Sequence, residues 1–334
     1  MTRVGINGFG RIGRQFYRAA RDFPGIEVVA VNDLTDPATL AHLLVYDSNY
    51  GTLEADVSSG DGEMMVDGKA VKVLAERDPG RIAWRDLGVK VVVESTGRFT
   101  NAEHAVKHRT GGGAAKVIIS APGKGEDACL VLGVNEDAYD PECHHVISMA
   151  SCTTNCLAPV ARVLDDGFGI VRGLMTTVHA YTSDQMLLDG PHQDLRRARA
   201  AALSIVPTST GAAAAIGKVL PRLAGKLNGF AMRVPTSTVS VVDLVVELER
   251  EVTAEEINRA FRQAAAGPLD PYLKVSDVPL VSVDFKGNTA SAVVDGLSTM
   301  AVGSLAKVIA WYDNEAAYAR RLVDLVRFLA ERGL

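Results

Sequence analysis

The chain is poor in cysteine, in aromatic side chains and in net charge, and each shortage excludes something. Four cysteines in 334 residues are too few for a disulfide framework. Cys129 and Cys143 share no metal-ligand spacing with the Cys152 and Cys156 pair, so no metal is expected. No apolar run approaches the roughly 20 residues of a membrane span. The strand-like Thr2-Arg3-Val4-Gly5-Ile6 begins at once, leaving no room for a signal peptide. A reduced, cytoplasmic setting is therefore expected. A net charge of −5 gives no bulk basic field for nucleic acid or an anionic membrane, so an anionic substrate needs a local arginine cluster. Repeats and low-complexity segments are absent too. What remains is an ordinary globular composition, 47% hydrophobic and 22% charged, over a length that suits roughly two domains.

The first of these opens on Val4-Gly5-Ile6-Asn7-Gly8-Phe9-Gly10-Arg11-Ile12-Gly13, which reads as strand, turn and helix. Gly8 permits the tight turn, Gly10 the approach of a pyrophosphate to the backbone, and Gly13 close packing of helix on strand. The free N–H groups of the helix N-terminus then face the diphosphate. Glu27-Val28-Val29-Ala30-Val31 supplies a second strand, and Asp33 follows Gly13 by 20 residues, where an acid meets the ribose hydroxyls. A carboxylate there repels a 2′-phosphate, so NAD is favoured over NADP.

Strand and helix keep alternating through residues 89–120, with apolar strands, which predicts a Rossmann-type, doubly wound, mostly parallel sheet. Ser95, Thr96 and Ser120 fall at strand ends, where such sheets bind ligands. The turn-rich stretch from Tyr50 to Pro79 reads as a hairpin insertion. From residue 151 the pattern changes to long strands, Gly173 to Tyr181, Phe230 to Thr236 and Val239 to Leu248. These predict a second α+β catalytic domain with a largely antiparallel sheet. An amphipathic helix from Ala317 returns to the first domain. The expected division is residues 1–150 plus 315–334 for NAD binding and 151–314 for catalysis.

Ser151-Cys152-Thr153-Thr154-Asn155-Cys156 lies at a strand-to-helix junction. A free thiol of pKa ~8.5 is only ~3% thiolate at pH 7. A helix N-terminus contributes ~0.3–1 kcal/mol, less than the ~1.36 kcal/mol of one pKa unit. A cationic partner is wanted, and His179, in the strand Thr176–Tyr181, supplies it as an imidazolium. A reactive thiol beside a dinucleotide site points to aldehyde oxidation through a thioester. Cys156 reads as structural, and His104, His108, His144 and His145 as structural or solvated.

Four segments together resemble the glyceraldehyde-3-phosphate dehydrogenase family over essentially the whole chain. They are Ile6 to Arg14, Ala150 to Cys156, Asp194-Leu195-Arg196-Arg197-Ala198-Arg199, and Trp311-Tyr312-Asp313-Asn314-Glu315. The resemblance implies a phosphorylating, NAD-dependent enzyme, with Cys152 as nucleophile and His179 as base. It places Arg11, Ile12, Asp33, Arg77, Ser120 and Asn314 around NAD. It places Ser151, Thr153, Thr182, Arg197, Thr210, Gly211 and Arg233 around glyceraldehyde 3-phosphate and inorganic phosphate. It implies a homotetramer in which the segment after Thr182 packs against neighbouring cofactor sites.

The chain departs from the family pattern at Met149, Ser183, Gly190, Ala316 and Ala317, all flanking an intact set of catalytic atoms. One reading is an isozyme less open to electrophilic inhibitors at Cys152. The alternatives are an erythrose-4-phosphate dehydrogenase paralogue, against which Tyr181-Thr182 and Thr208 to Ala212 speak, and a non-catalytic NAD-binding interaction protein.

Overall fold

Three short strands, Val91–Glu94, Lys116–Ile119 and Val146–Ser148, are buried along their whole length, as strands covered on both faces must be. In the computed structural model, which describes residues 1–334, they form part of a nine-stranded sheet. Its order is Ala128–Cys129, Val146–Ser148, Lys116–Ile119, Val91–Glu94, Thr2–Asn7, Ile26–Asn32, Lys69–Leu74, Glu63–Val66 and Val57–Gly60. Pairing is parallel from Ala128–Cys129 as far as Lys69–Leu74. The last two strands add antiparallel, so the turn-rich stretch after Tyr50 extends the sheet as a meander. Strand order reverses around Thr2–Asn7, which sets a crevice at the strand C-terminal ends there.

Two glycines fix this crevice. Gly8 has φ +91°, and a Cβ on it would lie 2.7 Å from the Thr96 nitrogen. A Cβ on Gly13 would lie 2.2 Å from the Gly8 carbonyl oxygen, so the helix Arg11–Ala20 sits tight on the turn. Gly10 has nothing within 4 Å. Gly13→Ala should therefore destabilise the fold by ~1–3 kcal/mol. Gly10→Ala should melt like the parent yet bind dinucleotide more weakly, because its methyl enters the space left for the ligand. Thermal melts beside equilibrium NAD binding check both, and a Gly10→Ala protein with unchanged affinity would remove that role.

The chain divides into two compact units. One comprises Met1–Leu130, Asp137–Ala150 and Ala319–Leu334, the other Val131–Glu136 and Ser151–Tyr318. The second unit is built on an eight-stranded sheet. Its order is Val206–Ser209, Leu227–Val234, Ile170–Ala180, Ser240–Leu248, Leu305–Tyr312, Ala292–Asp295 and Leu273–Ser276, with Met300–Val302 pairing onto Leu305–Tyr312. Most pairs are antiparallel, but Ile170–Ala180 runs parallel to Leu227–Val234, as does Leu273–Ser276 to Ala292–Asp295. Burial alternates residue by residue along Ser240–Leu248, so one face of this sheet carries the core. The long strands begin earlier than the apolar pattern predicts, Ile170 instead of Gly173 and Leu227 instead of Phe230. No strand occurs between Tyr181 and Ile205.

The helix Cys152–Phe168 continues unbroken through Pro159. The helix Ala316–Glu331 buries Leu322, Val323, Leu325, Val326 and Leu329, and from Ala319 it belongs to the first unit. No helix is long and apolar enough to cross a membrane.

Candidate active site

The nucleophile candidate sits where the sequence changes from strand to helix. Met149 and Ala150 are fully buried, and Ala150 takes φ +53°, a conformation that turns the chain sharply before the helix. Ser151 then caps it, its Oγ accepting from the Thr154 N–H at 3.0 Å. Cys152 is the first helical residue, and its Sγ lies 3.5 Å from His179 Nε2. His179 is delivered by the strand Ile170–Ala180, whose alternation also buries Thr177. Parallel pairing puts Arg233 in register with His179, and this brings a guanidinium to the far side of the ring.

This arrangement corrects one expectation. Burial, reinforced by Arg233, pushes the His179 pKa down to about 3, so the ring is neutral and does not supply the cation. Burial also raises the Cys152 thiol, against a pull downward from Arg233. The positive charge that acts on the sulfur is therefore that of Arg233, from across the ring. The low dielectric that strengthens this attraction also disfavours an imidazolium next to a guanidinium.

The His179 Nδ1 lies 2.7 Å from the Ala180 carbonyl oxygen and 2.6 Å from Arg233 Nη1. It can serve only one of them at a time. Arg233 can only donate, so with the proton on Nδ1 and donated to Ala180 its Nη1 turns to the same carbonyl, at 3.1 Å, and Nε2 is free to accept from the thiol. That tautomer suits a general base.

A pH consequence follows. The ordinary histidine value of ~6.5 applies to the unfolded chain, and about 3 to the folded one. Between these the unfolded state binds the extra proton, so stability rises with pH and is lost as pH falls, by about 1.4 kcal/mol per unit at most. His179→Asn should flatten the acid side of the stability curve between pH ~6.5 and ~3. Denaturant melts across that range check it, and an unchanged slope would show that the histidine is charged when folded.

The candidate anion ligands form a second group. Thr182 Oγ1 and Arg197 Nη1 both donate to Asp184, the latter at 2.6 Å. Arg197 Nε donates to Thr208 Oγ1 at 2.9 Å, and Thr208 donates to Asp194 at 2.6 Å. Asp184 was not singled out from sequence, because an acid is not an expected member of an anion site. Arg233 Nε is buried without a hydrogen-bond partner. Thr153 Oγ1 and Thr177 Oγ1 share the buried hydroxyl of Tyr312, at 2.8 and 2.9 Å, another residue that composition alone does not mark. Thr210 and Gly211 precede the helix Ala212–Val219, with Thr210 Oγ1 accepting from the Ala212 N–H at 3.2 Å.

Asn314 is fixed through its neighbour Ser240. The Ser240 hydroxyl accepts from the Ala180 N–H and donates to Asn314 Oδ1, at 3.1 and 3.0 Å. Val239, just before it, is held at φ +68°. For a β-branched residue that costs on the order of 1–3 kcal/mol and clusters at functional sites.

The first unit holds a crevice of about 550 Å³ lined by Asn7, Gly8, Gly10, Asn32, Asp33, Arg77, Ser95 and Thr96, among others. Its residues fit a dinucleotide. Gly8 turns the chain, Gly10 leaves open space before the helix, and Asp33 is held by the Phe9 and Thr35 N–H groups at 2.8 and 3.0 Å. Arg11 is paired with Asp47 at 2.6 Å, so its guanidinium is committed to the protein. Ile12 follows it in the same helix. Ser120 donates to the Glu94 carbonyl oxygen at 3.0 Å. No group of three or more His, Cys, Asp or Glu side chains converges to hold a metal ion.

Of the departing positions, Met149 is fully buried and Ser183 exposed. A Cβ on Gly190 would meet Met186 only at 3.4 Å. Ala316 donates its N–H to Asp313 Oδ1 at 3.0 Å.

Comparison with known proteins agrees on one family. Residues 2–102 match the model described as glyceraldehyde 3-phosphate dehydrogenase, NAD binding domain. Residues 151–314 match its C-terminal domain. Over 334 residues, all of this chain and 99% of the relative, the sequence is 62% identical to glyceraldehyde-3-phosphate dehydrogenase of Geobacillus stearothermophilus. It is 60% identical to glyceraldehyde-3-phosphate dehydrogenase 1 of Bacillus subtilis (strain 168), with all of this chain and 99% of the relative covered. It is 58% identical to the Streptomyces coelicolor enzyme of the same name, with 99% of each covered. With a thiol and an imidazole paired at the head of a helix in one unit, and a glycine-built crevice in the other, the chain belongs to the glyceraldehyde-3-phosphate dehydrogenase family.

Proposed function

We propose that the protein oxidises D-glyceraldehyde 3-phosphate with NAD and inorganic phosphate to 1,3-bisphosphoglycerate. The observation that carries this reading is the 3.5 Å approach of Cys152 Sγ to His179 Nε2 in a chain of this family. The thiol proton passes to Nε2, the sulfur attacks the aldehyde carbon, and Nε2 returns that proton to the resulting oxyanion, giving the thiohemiacetal and leaving the ring neutral again. The Cys152 N–H at the helix N-terminus stabilises the oxyanion. His179 takes the hydroxyl proton as the carbon loses a hydride. Bound NAD supplies the hydride acceptor. The thioester left on Cys152 retains the oxidation energy, and an oxygen of inorganic phosphate then attacks its carbonyl, expelling the thiolate as the acyl phosphate leaves.

In this reading Gly8, Gly10, Ile12, Gly13, Asp33, Arg77, Ser120 and Asn314 hold NAD, with Arg11 contributing through its backbone at the helix N-terminus because its side chain pairs with Asp47. Thr182, Arg197 and Arg233 hold the anions with Ser151, Thr153, Thr210 and Gly211. The buried, partnerless Arg233 Nε supports an anion there, since an unmet buried donor is costly. An assay of NADH formation with and without inorganic phosphate tests the proposal, with erythrose 4-phosphate and NADP as comparisons. NADH formation that ignores phosphate, or that prefers erythrose 4-phosphate, would overturn it.

A homotetramer working in the cytoplasm completes the reading. The segment from Thr182 to Pro207 leaves Leu187, Leu188, Leu195, Leu203 and Ile205 exposed. Such a density of exposed apolar side chains marks an interaction surface. Light scattering should return four times the 35.5 kDa chain mass.

A further inference from the structure

Beneath the crevice of the first unit lies a chain of buried polar side chains that the proposed reaction does not use. Trp84 Nε1 donates to His108 Nδ1 at 3.0 Å, so the ring proton of His108 sits on Nε2. That nitrogen faces Glu94 Oε2 at 3.0 Å. Asn7 Nδ2 donates to the same carboxylate oxygen at 2.5 Å. The other oxygen, Oε1, accepts from the Thr96 N–H at 2.9 Å and from its hydroxyl. Asn7 Oδ1 in turn accepts from Asn32 Nδ2 at 2.7 Å. Asn32 brackets the Glu76 backbone, donating to its carbonyl at 2.9 Å and accepting from its N–H at 2.8 Å. Trp84 and His108 have no exposed surface, and Asn7, Asn32 and Glu94 are buried as well.

We propose that Glu94 is a positioning residue of the dinucleotide crevice, its carboxylate setting the donor direction of Asn7 and Asn32 and the height of the Thr96 backbone beneath the Gly8 turn. The proposal rests on the reading of this crevice as the NAD site. Each link has a direct geometric consequence. Thr96 is the segment against which Gly8 is packed, at the 2.7 Å limit a Cβ would meet. Asn32 immediately precedes Asp33, and Glu76 immediately precedes Arg77, both of which line the crevice. One carboxylate thus ties together the ends of Thr2–Asn7, Ile26–Asn32 and Val91–Glu94 and the segment after Lys69–Leu74.

The polarity is determined as well as the position. Every neighbour of the carboxylate donates, so a carboxamide at 94 turns an N–H₂ group toward at least one donor. Either Asn7 and His108 on one side or Thr96 on the other then lose their partner. Satisfied buried networks are stiff because each member fixes the next.

The test separates positioning from bulk stability. Glu94→Gln should raise the NAD dissociation constant about tenfold, the equivalent of one buried hydrogen bond lost, with kcat at saturating NAD unchanged. The double variant Asn7→Asp, Glu94→Gln reverses the polarity while keeping one carboxylate and should recover most of that affinity. Trp84→Phe deletes only the donor to His108 and should give a smaller loss, which keeps the question open to measurement if Glu94→Gln does not fold. Unchanged NAD affinity in folded Glu94→Gln would overturn the proposal. So would a double variant that regains its melting temperature but not its affinity. A parent protein that fails to bind NAD would instead refute the reading of the crevice itself.

Discussion

Cys152→Ser should abolish acyl-phosphate formation, by ~10³-fold or more, because a serine hydroxyl offers neither the ionised fraction nor the nucleophilicity of a thiol. The environment makes the loss severe. Burial already raises the cysteine, and an alcohol starts from a far higher value. The neutral His179 at 3.5 Å would have to remove a proton that oxygen holds far more tightly than sulfur does. Binding should survive, since the crevice of Gly8, Gly10 and Asp33 belongs to the other unit. Rates of NADH formation beside equilibrium NAD binding decide the matter. Retained turnover in the serine variant would end the thioester mechanism, and lost NAD binding would mean that the residue has a structural part in the fold.

His179→Asn carries the second large effect, a fall of ~10²–10⁴-fold in kcat/KM for the aldehyde, the usual range for a positioned general base. Its pH behaviour distinguishes a base from a preformed cation. A ring pushed down to about 3 stays neutral through the neutral range. The parent rate should then climb with pH under control of the Cys152 thiol, with no histidine-like limb near pH ~6.5. In the variant the climb should move further to alkaline pH, because the acceptor for the thiol proton is gone. Alkylation of Cys152 by a neutral reagent, followed across pH in both proteins, reads this directly. Superimposable profiles would leave His179 without a part in activating the sulfur.

The dinucleotide half of the protein was legible because its chemistry is local. A strand, three glycines, a helix and an acid at the next strand end are adjacent in sequence, and Gly8 and Gly13 each meet a neighbour that no Cβ could clear. Alternation of apolar strands and helices likewise pointed to the parallel sheet. The edge meander and the early strand starts at Ile170 and Leu227 were less visible, since short or weakly patterned stretches are decided by their pairing partners.

The catalytic group was legible only in its members. Helix-dipole arithmetic calls for a cationic partner to Cys152 and points to His179, whose ring burial and Arg233 instead push toward the neutral form. That charge depends on Arg233, which lies 54 residues away and arrives only through the parallel register of two strands. Ser240 carries no sequence signal of its own, because it acts by hydrogen bonds to residues distant in the chain. Glu94 and His108 show the same limit. A histidine set aside as structural or solvated turns out to back the carboxylate under the crevice.

By itself, then, the sequence determined what depends on neighbours along the chain: the turn that only glycine can make, the cap that starts the nucleophile helix, and the periodicity of strands and helices. Only the tertiary structure decided the protonation of His179, the partners of the anion ligands and the polarity of the buried network. Those are set by distance and dielectric, and both come into being only when remote strands pair and water is excluded.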